Sequence, residues 1–302
     1  MSSKPVVVVN VSQFSQGVTA KRMRSPLDVA MHRFIRQPAG VIGLGVFIAV
    51  VVVAVAASVV APYSPLEMFA RKELQAPGAM FPLGADHLGR DILSRIIFGT
   101  RVSLMVGVIA VALGSGVGGI SGLIAGYSGG WVDGLIMRMW DAVFAVPAVL
   151  LGIALAAALG PSSSNAAIAI GIATMPTFAR IARAAVIAES GKEYVQAAVA
   201  LGIPTARILA RHIVPNVVGP LLVMMALTMG NAVLLEAGLS FLGLGTQPPD
   251  PSWGGMLNES RQFLRDAPWF GVFPGIALTV LVLGLNSFAD AMRDALDPRS
   301  IQ

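Results

Sequence analysis

The side chains able to do chemistry are few. The chain has three histidines and no cysteine. His32, His87 and His212 fall in separate segments without ligand spacing, so no metal site built from them is expected, and disulfides are excluded. No G-x-x-x-x-G-K-S/T phosphate loop is present, since the Gly191-Lys192 pair runs on into Glu193. One G-x-S-x-G match occurs, GYSGG at 126–130. A nucleophile elbow needs a strand before it and a helix after it. Here a long apolar run comes first and no histidine is near, so the match reads as a turn. Asp141, Glu236 and Asp290 lie at or near the ends of apolar runs. Gradient-driven transporters keep ionisable groups or broken helices at mid-membrane. The chain thus offers neither a nucleotide site nor an ion-coupling site. If it moves a solute, the energy arrives from another protein.

The elements that carry these residues are apolar. Of 302 residues, 55% are hydrophobic and 12% charged, with mean hydropathy +0.76. Soluble domains carry about 25% charge. Uncharged runs cover 37–66, 102–132, 142–179, 212–235 and 267–289. A membrane helix needs about 20 apolar residues. GPSSSN at 160–165 divides the third run with turn residues. The expectation is an all-α integral membrane protein with six spans, at 38–61, 102–126, 139–159, 165–182, 216–236 and 270–290. The fourth is short, and Arg180 and Arg183 are expected to snorkel at its inner end. With the N-terminus inside, inner segments hold 14 of the 21 Lys and Arg residues and outer segments seven. That bias places both termini in the cytoplasm. The pI near 10.1 reflects the basic excess, and no nucleic-acid motif accompanies it. Three regions follow: a cytoplasmic tail over 1–37, the first span with an outer segment over 38–100, and a core over 101–302. The tail leads into MHRFIRQP, which holds the first span at the inner surface.

One inner stretch is unlike its surroundings. EYVQAAVALGIPTARILARHIVPN, 193–216, carries charges, a glycine and two prolines between apolar runs. Glu193 to Leu201 can form about two and a half helical turns. Tyr194, Ala198 and Leu201 are spaced to share a face. Ala197 and Ala198 keep the helix slim. Gly202 can take the left-handed conformation that ends a helix, and Pro204 starts another. Arg207 and Arg211 ride on that second helix, and Pro215 fits the first turn of the fifth span. A short helix fixed to two spans can act as a lever.

Gln196-Ala197-Ala198, Gly202 and then His212-Ile213-Val214-Pro215 resemble the "EAA" loop of bacterial ABC-importer permeases. Gln196, His212 and Val214 depart from that pattern. RFIRQP (33–38), APYSP (61–65), HLGRDILSRIIFGTRVSL (87–104), GLSFLGLGTQPPDPSWGGML (238–257) and FPGIALTVLVLGLNSFADAMRDALDPR (273–299) resemble the second permease subunit of dipeptide, oligopeptide and nickel importers. The resemblance runs from about residue 30 to the end. It implies a type I ABC importer permease in the bacterial inner membrane, paired with a second homologous permease. Two ABC ATPase subunits would bind ATP and Mg and dock on the inner loop at about 189–215. An extracytoplasmic binding protein would deliver a di- or oligopeptide, with nickel or a metal chelate as the alternative cargo. The chain itself would not be an enzyme. Glu193, Tyr194, Gln196, Ala197, Ala198, Leu201, Gly202, Arg207, Arg211 and Pro215 fall in the implied coupling loop.

Other residues keep two readings open. Asp86, Arg90, Asp91, Arg95 and Arg101 could pair with one another and anchor an interfacial helix. The resemblance implies that Arg90, Asp91 and Arg95 lie near the docked binding protein, and plain interfacial packing is the other reading. Trp253 suits a membrane–water boundary and a cap or docking loop. Met224, Met225, Met229 and Asn231 could line a pathway, since methionine adapts to varied cargo, or pack helices. Glu236 would sit near the outer interface with a structural partner or a gating role. Glycines 107, 114, 116, 118, 119, 122 and 152 suit close helix packing. A self-sufficient secondary transporter and an intramembrane protease remain as other classes, though the chain shows no serine–histidine or paired-aspartate arrangement for the latter.

Overall fold

The computed structural model describes residues 26–296, and all regular elements among them are helical. Apolar length decides where the long helices run. α1 spans Pro26–Ile35 and α2 Pro38–Val55, with Pro38 in the first turn where a missing N–H costs nothing. α3 is a single turn, Ala57–Val60. α4, Ile92–Leu113, starts at Asp91, whose carboxylate accepts from Ser94 N at 2.8 Å. A π-helical stretch, Gly114–Gly119, carries it into α5, Ile120–Ser128. α6 is Gly130–Phe144, α7 Ala148–Leu159 and α8 Ser163–Ser190. The inner hairpin holds α9, Glu193–Ala200, and α10, Thr205–Ile208. A second π-helical stretch, Leu209–Ile213, leads into α11, Val214–Phe241. α12, Trp253–Ser260, and α13, Trp269–Leu296, complete the chain.

Five helical segments are long and apolar enough to cross a membrane, or six if the bent α6–α7 pair is one span. α8 and α11 sit at the centre, packed on each other and both on α4, while α13 joins α2 to α11. Glycine makes the closest approaches. A Cβ at Gly118 or Gly122 would lie 2.2 Å from the carbonyl oxygen of Met175 or Ala179, so α8 touches the backbone there. Gly152 has no such neighbour.

Several elements depart from the sequence expectation. The second span begins at Ile92 rather than 102, because Arg95 and Arg101 find partners and need not be excluded. The third span is not straight: α6 and α7 meet at 82° around Pro147. Residues 127–138, read as an inner loop, are mostly the first half of α6. The fourth span is longer than expected, and its arginines pair instead of snorkelling. Arg183 grips Asp133 with two bonds of 2.5 and 2.6 Å, and Arg180 meets Asp141 at 2.8 Å. Of the tail 1–37, Pro26–Ile35 is helix, and residues 1–25 lie outside the described residues. GYSGG is the end of α5 and the break before α6, with Gly129 and Gly130 at φ +62° and +55°.

Candidate functional site

The inner hairpin is built on an apolar floor. Val195 and Ala198 from α9, with Ile208 and Ile213, pack on Phe178, Ala182 and Val186 of α8 and on Val217 and Leu221 of α11. α9 therefore turns Val195 and Ala198 inward. Tyr194 and Leu201, expected to share the face of Ala198, are 44% and 81% exposed. The outward face carries Glu193, Gln196, Ala197, Val199 and Leu201. α9 ends as its glycine suggested: Gly202 has φ +74°, and its N–H bonds Val199 O at 2.9 Å. Pro204 caps α10, Arg207 and Arg211 are exposed, and Pro215 lies in the first turn of α11.

A polar knot binds the hairpin to both spans. The Tyr194 hydroxyl donates to Glu189 Oε1 at the end of α8 and accepts from Asn216 Nδ2 at 3.1 Å. Asn216 Nδ2 also donates to His212 O at 2.7 Å, and Lys192 Nζ pairs with Glu189 Oε2 at 2.7 Å. Lost hydration and the Glu189 carboxylate push the Tyr194 hydroxyl up to about 12, so it stays a donor at neutral pH. Sequence reading passed over Glu189 and Asn216. A glutamate five residues before a tyrosine, and an asparagine after a proline, give no local signal.

The end of the bundle expected to face outward holds a second cluster. Asp86 accepts from Arg90 Nε at 2.5 Å and lies 3.5 Å from Arg95 Nε. Arg90 and Arg95 reach Glu259 of α12 at 2.9 and 3.5 Å. Asp86, Arg90 and Arg95 are at most 2% exposed. These arginines thus hold the cap together from within. Asp91 is spent on the α4 cap. Trp253 is also buried, donating its ring N–H to Ile96 O at 3.0 Å, rather than lying at a boundary. His87 stacks on Phe263 and Phe270. Its ligand atom lies within 4.8 Å of those of Asp86 and Glu259, a grouping the sequence does not reveal. Both carboxylates already hold guanidinium groups, so a cation there would have to displace an ion pair.

Between these ends, α11 sorts the pathway candidates. Met229 is buried against Gly107. Met224 and Met225 are half-buried on the hairpin floor, and Met224 also lines a cleft of about 400 Å3 with Ile181, Leu227 and Arg293. Asn231 alone of the four is exposed, on a face with Leu234 and Gly238. Glu236 is fully buried within the protein, five residues before the end of α11. It accepts from Ser240 Oγ at 2.6 Å, and Ser240 Oγ accepts from Thr246 N at 3.1 Å, which pins the following loop.

A helical bundle with five or six candidate spans, a hairpin with one face outward and a loop-built cap are the architecture with which known proteins can be compared. Residues 118–302 match the family described as binding-protein-dependent transport system inner membrane component. The chain belongs to this family. Residues 25–77 match the N-terminal TM domain of oligopeptide transport permease C. The permease is 43% identical to the dipeptide transport system permease protein of Alkalihalophilus pseudofirmus, over 91% of this chain and 90% of that one. It is 40% identical to the glutathione transport system permease protein of Pectobacterium atrosepticum, over 92% and 93%. A di/tripeptide transport system permease protein of Pseudomonas aeruginosa is also 40% identical, over 91% and 93%. In fold the permease is similar to a chain of the MetNI methionine ABC transporter in inward-facing conformations, with TM-score 0.58 and 14% identity. That likeness covers 68% of this chain and 98% of the other. The fold is that of a type I ABC importer permease.

Proposed function

We propose that this permease carries di- or oligopeptides inward across the bacterial plasma membrane, with both termini cytoplasmic, as one half of a heterodimer with a second permease. The relatives named above for dipeptide, di/tripeptide and glutathione transport support that cargo class. No residue grouping favours nickel or a chelate over it. Two ATPase subunits bind ATP and Mg and press on the outward face of α9. A binding protein docks on the outer cap, and the chain itself catalyses no bond change. One observation carries this reading. A helix with an unpartnered outward face is seated on two central helices that run the full depth of the bundle. A push on α9 is therefore delivered where α8 and α11 meet the hairpin.

The exposed amide of Asn231 supports a shared pathway. An amide facing hydrocarbon without a partner costs several kcal/mol, on the order of 4. That face of α11 suits a second permease or a wet channel better than lipid. Affinity purification of the tagged chain from native membranes, with mass spectrometry, tests the whole. A second permease and ATPase subunits should come with it. A chain that comes alone and moves solute in liposomes without ATP would be a secondary transporter instead.

A further inference from the structure

The sequence places Tyr194 on the coupling surface, as a group for the ATPase to touch. Its hydroxyl points elsewhere. It lies between the Glu189 carboxylate, at the last turn of α8, and the Asn216 amide, in the first turn of α11. Glu189 is 7% exposed, and its second oxygen is held by Lys192 at 2.7 Å. Asn216 is fixed in turn by its bond to His212 O, at the end of the π-helical stretch. One oxygen thus touches the exits of both central membrane helices and belongs to the surface helix between them.

The apolar floor beneath α9 cannot do the same work. Apolar contact is non-directional, so Val195 and Ala198 can slide on Phe178 and Val217 at little cost. Hydrogen bonds fix direction, and those to a charged carboxylate are the stronger kind. A lever needs a fixed joint as well as a seat.

We propose that Glu189, Tyr194 and Asn216 are positioning residues that make α9 rigid with α8 and α11, so that ATPase motion is turned into helix motion rather than lost as sliding of α9. Glu189 and Asn216 act through Tyr194. This inference rests on the importer reading above.

The test uses the full complex, with its ATPases and binding protein, in liposomes, with radiolabelled dialanine and glutathione as probes. The readout is ATP consumed per solute imported. Phenylalanine at 194 keeps the ring and removes only the oxygen. Tyr194→Phe should raise the ratio about fivefold, the scale of one hydrogen bond, while both ATPases still co-purify. Glu189→Gln keeps an acceptor and should raise it less than Glu189→Ala. Tyr194→Phe with Glu189→Ala should be no worse than the worse single change, because both break one joint. An unchanged ratio in Tyr194→Phe overturns the proposal, as do additive effects. Loss of the ATPases from the Tyr194→Phe complex also overturns it, since Tyr194 would then be a docking contact. If the unaltered complex contains no ATPase and imports either probe without ATP, the importer reading itself has failed, and the joint falls with it.

Discussion

The two ends of the helix bundle are built in opposite ways. The outer cap buries its charges. Asp86, Arg90 and Arg95 are all but inaccessible, and the two arginines meet Glu259 across 164 residues or more of sequence. The inner hairpin buries apolar groups and leaves its charges outside, with a single polar joint at Tyr194. Buried ion pairs are stiff and punish the loss of any member, whereas an apolar seat tolerates small displacement. Under the proposed function, the cap would be held still where a solute is delivered, and the hairpin seat would yield to force only as far as the Tyr194 joint allows.

The cap should therefore break hardest. Asp86→Ala leaves two buried guanidinium groups with Glu259 as their one shared carboxylate and should cost about 3–5 kcal/mol. Thermal unfolding of the purified complex checks this, and an unchanged midpoint would mean that the cap is wetter than its burial suggests. The hairpin should fail next and differently. Ala198→Trp forces an indole onto a packed floor, a strain of about 1–3 kcal/mol, and should abolish uptake while the chain still inserts in the membrane. Gly202→Pro should do the same, because φ +74° is closed to proline and the bond to Val199 O is lost. Normal uptake by either variant would show that the seat and turn of α9 do not matter.

The long helices were legible because each apolar run is long enough to exclude other readings. Turns at Gly160 and Gly202 were legible too, and both glycines have positive φ. The bend at Pro147 was not. It lies inside an uncharged run, where hydropathy is blind to backbone breaks. The face of α9 was misjudged because the helix is apolar nearly all round. Val195, Ala197, Ala198, Val199 and Ala200 allow two stripes that meet at Ala198, and eight residues cannot decide between them. The pairing of Arg90 and Arg95 with Asp86 was legible, because these residues lie close together in sequence. Glu259 was hidden, because it lies far along the chain from both arginines.

Smaller changes sharpen the contrast. Arg183→Ala removes the two-bonded pair that ties α6 to α8. The pair is more than a third exposed on the arginine side, so solvent screens it, and the loss should be about 0.2–1 kcal/mol. A shift in unfolding midpoint beyond that range would mean that α6 is anchored as firmly as the cap.

The smallest change in stability should come from Leu201→Asp. Leu201 is 81% exposed and touches none of the hairpin floor. Surface substitutions of this kind stay within about 0.5 kcal/mol. Burying a new carboxylate under a docked ATPase would cost far more, since an unpaired charge would lose its water. The variant should unfold like the unaltered protein yet lose the ATPases during purification. If instead the ATPases stay bound, the docking face of α9 lies on the Glu193–Ala197 side alone. The lever would then be gripped nearer its joint at Tyr194, and less of its length would be available to turn ATPase movement into motion of α8 and α11.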